Sequence, residues 1–151
     1  MKKILSVMLV FCMLFLMAMA AAFFAFDALL DDRADKEKII AFVRENEAAL
    51  LEAIEQGELS DYEKKGVVQK INAEEAVVDF FCGGAGVGSG TSYVGFYYTP
   101  DDDMVAVWCA PVSADSLTAS GDGFAWQESE GDNFYYTEHI CGHFYYYEAS
   151  F

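Results

Sequence analysis

Positive charge is missing from the second half of the chain. No lysine or arginine follows Lys70, whereas thirteen carboxylates lie between Glu74 and Glu148. A surface of this kind repels phosphate groups, so we expect no nucleic acid, nucleotide or anionic lipid headgroup as a ligand. It attracts cations and basic patches on partner proteins, although the charge is also typical of a domain that simply stays soluble.

The motifs of nucleotide binding and of several enzyme classes are missing as well. The glycine-rich stretch 83–90 has neither the glycine spacing of a dinucleotide fingerprint nor the lysine of a P-loop, and Ser89 lacks the glycines of a nucleophile elbow. Neither the aspartates at 101–103 nor the acids around 128–132 complete an EF-hand loop. We interpret the glycine-rich stretch as a flexible connection between strands, and we expect no cofactor.

Charge is also absent from the apolar run at residues 4–26, which follows Lys2 and Lys3 and precedes Asp27. At about 1.5 Å per residue, a helix of this length crosses a hydrocarbon core of about 30 Å. The positive-inside rule places the lysines in the cytoplasm and the rest of the chain outside. We predict a single-pass anchor in the cell membrane, with the alternative that the protein is secreted after cleavage near Ala20.

The remaining chain is predicted to contain an acidic connector, 27–35, and one extracytoplasmic domain, 36–151. Seven basic and twenty-five acidic residues follow the apolar run, which gives this part a formal charge of −18. Apolar residues recur on one face of a helix from Lys36 to Gln56, and Gly57 ends it.

Short runs rich in Val, Tyr and Phe, separated by turn residues, predict strands in the rest of the domain. The predicted strands are residues 67–71, 76–82, 92–99, 104–109, 124–128, 134–139 and 143–148. Because the connections are short, we expect an antiparallel meander of about six or seven strands with the amphipathic helix packed on one face, which is an α+β fold.

Three cysteines follow the apolar run, and two of them end predicted strands at the same edge of the meander. These are Cys82 and Cys109, with the strand that begins at Ser92 between them. Two strand spacings are about 9.6 Å, whereas a disulfide spans roughly 4.4 to 6.8 Å between α-carbons. The meander therefore predicts no bond between them.

An aromatic motif occurs three times, at residues 96–99, 134–137 and 144–147, each time in a predicted strand. Side chains alternate along a strand, so each copy places rings on both faces of the sheet. Outward rings can cover a second layer, strengthen cross-strand pairs or stack on a ligand. The candidates for stacking on sugar are Tyr97, Trp126, Tyr135 and Tyr146.

His139, Cys141 and His143 form the best candidate for chemistry. The predicted hairpin sets the two histidines across from each other, so both imidazoles and the thiolate are candidate zinc ligands. The same three residues suit a thiol nucleophile with a histidine base. The spacing matches no zinc signature, however, and Cys141 lies at a turn where nothing evident lowers its pKa. Surface histidines that flank a turn are the simpler interpretation.

The lysine-flanked anchor, the acidic helix and the aromatic strands with Gly95-Phe96-Tyr97-Tyr98 and the run 144–147 resemble small uncharacterised exported or membrane-anchored proteins of Gram-positive bacteria. The resemblance covers most of the chain and implies location and a single domain, but no activity. We expect a non-enzymatic, membrane-anchored domain that contacts another protein at the cell envelope. The alternatives are a carbohydrate-binding module that uses exposed rings, and an enzyme that uses His139, Cys141 and His143.

Overall fold

The computed structural model describes residues 13–19, 21–22, 31–74, 76–87 and 90–151. The chain divides into two compact units, Met1–Asp31 and Asp32–Phe151. Residues 13–19 and 21–22 of the first unit are helical, and the rest of the predicted membrane segment, 4–26, lies outside the described residues. Among the residues that are described, no helix combines the length and the hydropathy needed to span a membrane.

Helix α1, Lys36–Gln56, has the bounds that its apolar spacing predicts. Its buried residues, Ile39, Val43, Leu50 and Ala53, lie on one face. The helix ends at Gly57, which has a φ of 71° and donates its N–H to the carbonyls of the last turn. This left-handed conformation suits glycine, which explains why the helix ends there.

Seven strands follow the helix and form one antiparallel sheet. Their bounds are β1 Lys70–Glu74, β2 Val77–Val87, β3 Gly90–Tyr98, β4 Thr118–Ser120, β5 Gly123–Gln127, β6 Phe134–Cys141 and β7 Phe144–Ser150. The predicted α+β class, with one helix and an antiparallel sheet, is confirmed. The strand order β1-β2-β3-β7-β6-β5-β4 is not a simple meander, because β3 lies beside the last strand and not beside the next one.

The predicted strand at residues 104–109 is wrong. Between Tyr98 and Thr118 the chain forms turns and one short 3₁₀ helix, Ala114–Ser116, without a strand. The edge of β3 that this run was expected to pair with is taken by β7, with Tyr98 opposite Phe144. The run instead buries Val107 and Cys109 against a face of the sheet.

The sequence predicts a flexible connection along the glycine-rich stretch 83–90, but most of this stretch belongs to strands. β2 continues through it to Val87 and β3 begins at Gly90. At Gly86 the φ is 97°, and a Cβ there would clash with the carbonyl oxygen of Gly90. Glycine is therefore required because the two strands approach closely at this end of the hairpin.

The sheet is covered on both faces, so the outward aromatic rings lie against a second layer. Helix α1 packs on one face, which includes Phe96, Phe144 and Tyr146. On the opposite face Tyr97 and Tyr147 pack against residues 99–117, named here the covering segment. The alternation of rings along each strand was predicted correctly, and the covering segment supplies the second layer.

The part of the predicted connector that lies in the second unit, residues 32–35, runs along the outer side of β2. The Asp32 N–H donates to the Gly84 carbonyl (3.1 Å) and the Ala34 N–H donates to the Cys82 carbonyl (3.0 Å). This short pairing continues the line of β1 along the same edge of β2.

Candidate functional site

A pocket of about 360 Å³ opens between β1, β2 and the covering segment. β1 contributes Asn72 and Glu74, β2 contributes Asp79, and the covering segment contributes Asp101 and Trp108. Three carboxylates and an indole therefore meet in one concavity, and none of the described residues that line it is a lysine or arginine. Its size and concave shape are those of a site for a small ligand or for one side chain of a partner.

Asp79 lies at the base of the pocket and is only 3% exposed. Its Oδ2 accepts hydrogen bonds from Asn72 Nδ2 (3.0 Å) and Trp108 Nε1 (2.9 Å), and its Oδ1 accepts one from the Tyr147 hydroxyl (2.9 Å). These donors belong to β1, the covering segment and β7. One carboxylate of β2 thus binds the covering segment, through Trp108, and also joins β2 to side chains of β1 and β7.

Burial raises the pKa of the Asp79 carboxyl, although the hydrogen bonds from Asn72, Tyr147 and Trp108 act to lower it. The loss of hydration therefore outweighs the three donors. Both oxygens accept hydrogen bonds from protein groups, so we assign Asp79 the role of holding the walls of the pocket together.

Trp108 is the most exposed large apolar side chain of the described part of unit Asp32–Phe151, at 57%, followed by Phe124 at 39%. The indole is nevertheless held in place. Its N–H is bonded to Asp79, and its ring packs edge-on against Tyr93, with 5.9 Å between ring centroids. A fixed aromatic surface beside carboxylates suits the binding of a cation or of a polyhydroxylated ring.

The sequence contains one signal for this site, at Asp79. Asp79 interrupts the apolar strand Val77-Val78-Asp79-Phe80-Phe81, and a charge within a buried strand requires partners. Trp108 carries no comparable signal, because the run 104–109 has the composition of a strand.

The rings that were predicted to stack on sugar lie mostly in the core. Tyr97 and Tyr135 are fully buried, Tyr146 is 2% exposed, and Trp126 is half-buried. The Tyr97 hydroxyl lies 3.1 Å from the Thr137 hydroxyl, and the Tyr135 hydroxyl donates to a carbonyl of the covering segment. These rings pack the sheet and do not form an exposed row.

His139, Cys141 and His143 are close in sequence but do not converge. His139 lies opposite Tyr145, and Cys141 lies opposite Phe144, so the prediction that the two histidines face each other is wrong. A bulge between His139 and Cys141 shifts the register, which leaves His143 beside Gly142 in the turn.

Each histidine has its own partner. His139 Nε2 lies 2.8 Å from the Gly142 carbonyl oxygen, and His143 Nδ1 lies 2.9 Å from Asp102 Oδ1. Within the described parts of the chain, no group of three or more His, Cys, Asp or Glu residues is placed to hold a metal ion.

The thiols are not activated. Partial burial and the neighbouring Glu47 carboxylate raise the pKa of Cys141 to about 11, and burial raises that of Cys109 to about 12. A thiol with such a pKa is a poor nucleophile at neutral pH. Cys82 and Cys109 are free, as predicted, but the reason differs from the predicted one: they lie in clusters on opposite faces of the sheet.

Comparison of the chain with protein-family models, with curated proteins and with solved structures finds no match. The function is therefore inferred from the chemistry of the pocket. That chemistry is a fixed indole, two exposed carboxylates, Glu74 and Asp101, and a buried carboxylate that holds the walls together. These groups suit binding.

Proposed function

We propose that this protein is a non-enzymatic, membrane-anchored extracytoplasmic domain that contacts another protein at the cell envelope, and that the pocket beside Trp108 receives a basic side chain of that protein. The anchor in this proposal is the apolar run 4–26, with the domain outside. The observation that carries the proposal is the exposed, fixed indole bordered by carboxylates in a pocket whose described lining contains no lysine or arginine.

The charges and the indole favour the same kind of ligand. A lysine or arginine side chain gains from the face of an indole and from nearby carboxylates, and tryptophan is enriched among the residues that dominate protein interfaces. The formal charge of −18 after the apolar run would also speed the encounter with a basic surface.

Fluorescence titration of the full chain in detergent micelles tests the proposal. Trp126→Phe leaves Trp108 as the only tryptophan, so the emission reports on the pocket. The probe is the acetylated and amidated peptide Val-Thr-Arg-Thr-Val, and the control replaces its arginine with uncharged citrulline. We expect saturable binding of the arginine peptide, at least tenfold weaker binding of the citrulline peptide, and a loss of affinity with added salt.

The variants of the chain sharpen the test. Glu74→Gln and Asp101→Asn remove pocket carboxylates and should weaken binding of the arginine peptide several-fold. Asp122→Asn removes an exposed carboxylate that does not line the pocket and should leave the affinity unchanged. Equal affinity for the arginine and citrulline peptides, or equal effects of all three variants, would contradict a basic side chain as the occupant.

A carbohydrate is the second candidate, and one observation favours it. The exposed indole of Trp108 lies beside the Asn72 amide and the carboxylates, which is the combination of stacking surface and hydrogen-bonding groups that a sugar ring uses. In this version Trp108 takes the place of the buried tyrosines. The same titration with oligosaccharides of N-acetylglucosamine tests it, because stacking on sugar should survive high salt whereas binding of the arginine peptide should not.

A further inference from the structure

β1 is an edge strand, and no strand in the described part of the chain pairs with its outer side. It pairs with β2 on one side and ends the order of the described sheet on the other. Beyond the end of β1, Asp32 and Ala34 pair with the same side of β2. On this side of the described sheet, the outer edge is therefore that of β1 itself. An edge strand presents a row of backbone N–H and C=O groups that can accept another strand.

The pocket lies beside this edge. Asn72 of β1 is opposite Asp79 of β2, and the hydrogen bond between their side chains places Asn72 on the pocket side of the sheet. Side chains alternate along a strand, so Lys70 and Glu74 belong to the same side as Asn72. A strand paired with β1 would lie about 4.8 Å away, and its side chains on this face would reach the mouth of the pocket.

We infer that the partner binds as an extended, basic segment that adds an eighth strand to the outer side of β1 and places a lysine or arginine side chain in the pocket beside Trp108. This inference rests on the proposed function and names the form of the partner. The backbone hydrogen bonds of the segment along β1 provide affinity, and its cation in the pocket provides selectivity.

The charges on β1 also set the register of the added strand. Glu74 lines the pocket, whereas Lys70 lies at the opposite end of β1 and is exposed. Opposite charges attract and like charges repel across neighbouring strands. The basic side chain therefore aligns with Glu74, and the position of the segment that aligns with Lys70 is acidic or neutral.

The other edge of the sheet does not fit this ligand. β4 is three residues long, Thr118–Ser120, and no residue of β4 lines the pocket. A strand that short offers few backbone groups for pairing, which is a common protection of sheet edges. β1 combines a longer edge with an adjacent site for a cation.

Backbone methylation of the probe tests the inference on the full chain in micelles. Two versions of Val-Thr-Arg-Thr-Val are made, one N-methylated at alternate positions and the other at the remaining positions. Only every second N–H of an added strand faces the edge that it joins. We expect one version to lose at least tenfold in affinity and the other to bind like the unmodified peptide.

A charge exchange gives a second readout. Glu74→Lys should abolish the preference for the arginine peptide. It should create a preference for the peptide with glutamate in place of arginine, because the ion pair between residue 74 and the added strand is reversed. The exposed Asp122→Lys, which lies outside the pocket, should keep the original preference.

The outcomes separate the inference from the proposed function. Equal binding by both methylated versions, or equal loss in both, overturns the added strand while the basic side chain in the pocket stands. Failure of the unmodified arginine peptide to bind overturns both. Alternating loss together with reversed preference in Glu74→Lys supports the eighth strand.

Discussion

The three donors around Asp79 predict that substitutions of Asp79 and Tyr147 have non-additive effects on the free energy of unfolding. Asp79→Ala removes the oxygen that accepts the hydrogen bond of the Tyr147 hydroxyl, and the Tyr147 side chain is fully buried. The other two donors, Asn72 and Trp108, are partly exposed and can turn to water. The main cost of the substitution is therefore the stranded hydroxyl.

The size of the effect follows from that hydroxyl. A buried polar group without a partner costs about 1 to 3 kcal/mol, so we expect Asp79→Ala to lower the free energy of unfolding by about 2 kcal/mol. Tyr147→Phe alone should cost about 1 kcal/mol, because it removes one hydrogen bond. In the double variant no hydroxyl is stranded, and the two effects should fail to add by about 1 to 2 kcal/mol.

Urea unfolding at neutral pH, followed by circular dichroism, measures all four proteins of this cycle. Asp101→Asn is the matched control, since Asp101 lines the same pocket but is exposed, and it should change the free energy by less than about 0.5 kcal/mol. Additive effects of Asp79→Ala and Tyr147→Phe would refute the reasoning, because they would show that the hydroxyl finds another partner.

Asp79 also gives the stability a pH dependence of known sign. Its pKa is raised in the folded state above the unfolded value of 3.8, so the folded protein holds the proton more tightly. The stability that this contributes is fully present below the unfolded pKa and is lost as the pH rises through the folded pKa. Asp79→Asn cannot titrate, and it should flatten this part of the curve of unfolding free energy against pH.

Two further predictions concern the helix and the sheet. Partial burial acts to raise the pKa of Glu138, but the bonds from Lys36 and a tyrosine hold this pKa below 4.5. The stability that Glu138 contributes is therefore present above pH 4.5 and is lost as the pH falls through the lowered pKa. Lys36→Met should cost about 1–2 kcal/mol in urea unfolding at pH 7 and reduce this acid loss, whereas the exposed Lys38→Met should do neither. Gly95→Ala should lower the thermal midpoint, because its Cβ would lie 2.5 Å from a β2 carbonyl oxygen. Gly90→Ala should leave the midpoint unchanged, because a Cβ there meets open space. Equal midpoints of the two variants would contradict the close packing at Gly95.

The helix could be predicted from sequence because its signals are local. The apolar spacing from Lys36 to Gln56 and the glycine after it act within one or two turns, and the structure has the same bounds. The hairpin of β6 and β7 was predicted for the same reason, since the strands are joined by a short turn at Gly142. The bulge before that turn was missed, and with it the separation of His139 from His143.

The strand order could not be predicted, because it depends on pairing between residues far apart in the chain. β3 pairs with β7, so that Tyr98 of β3 lies opposite Phe144 of β7. This pairing excludes the covering segment from the sheet. An apolar run such as Met104 to Cys109 has the composition of a strand whether it pairs at an edge or packs on a face. Only the competition for the edge of β3 decides between the two.

The sequence alone determined the composition of the molecule: a strongly acidic domain, a helix at Lys36–Gln56 and strands whose aromatic rings alternate between two faces. Tertiary structure decided where the site lies. Asp79 and Trp108 are 29 residues apart and meet only because the covering segment crosses the sheet. Side-chain alternation is a property of each strand, whereas a pocket requires contacts between distant segments, and only folding makes them.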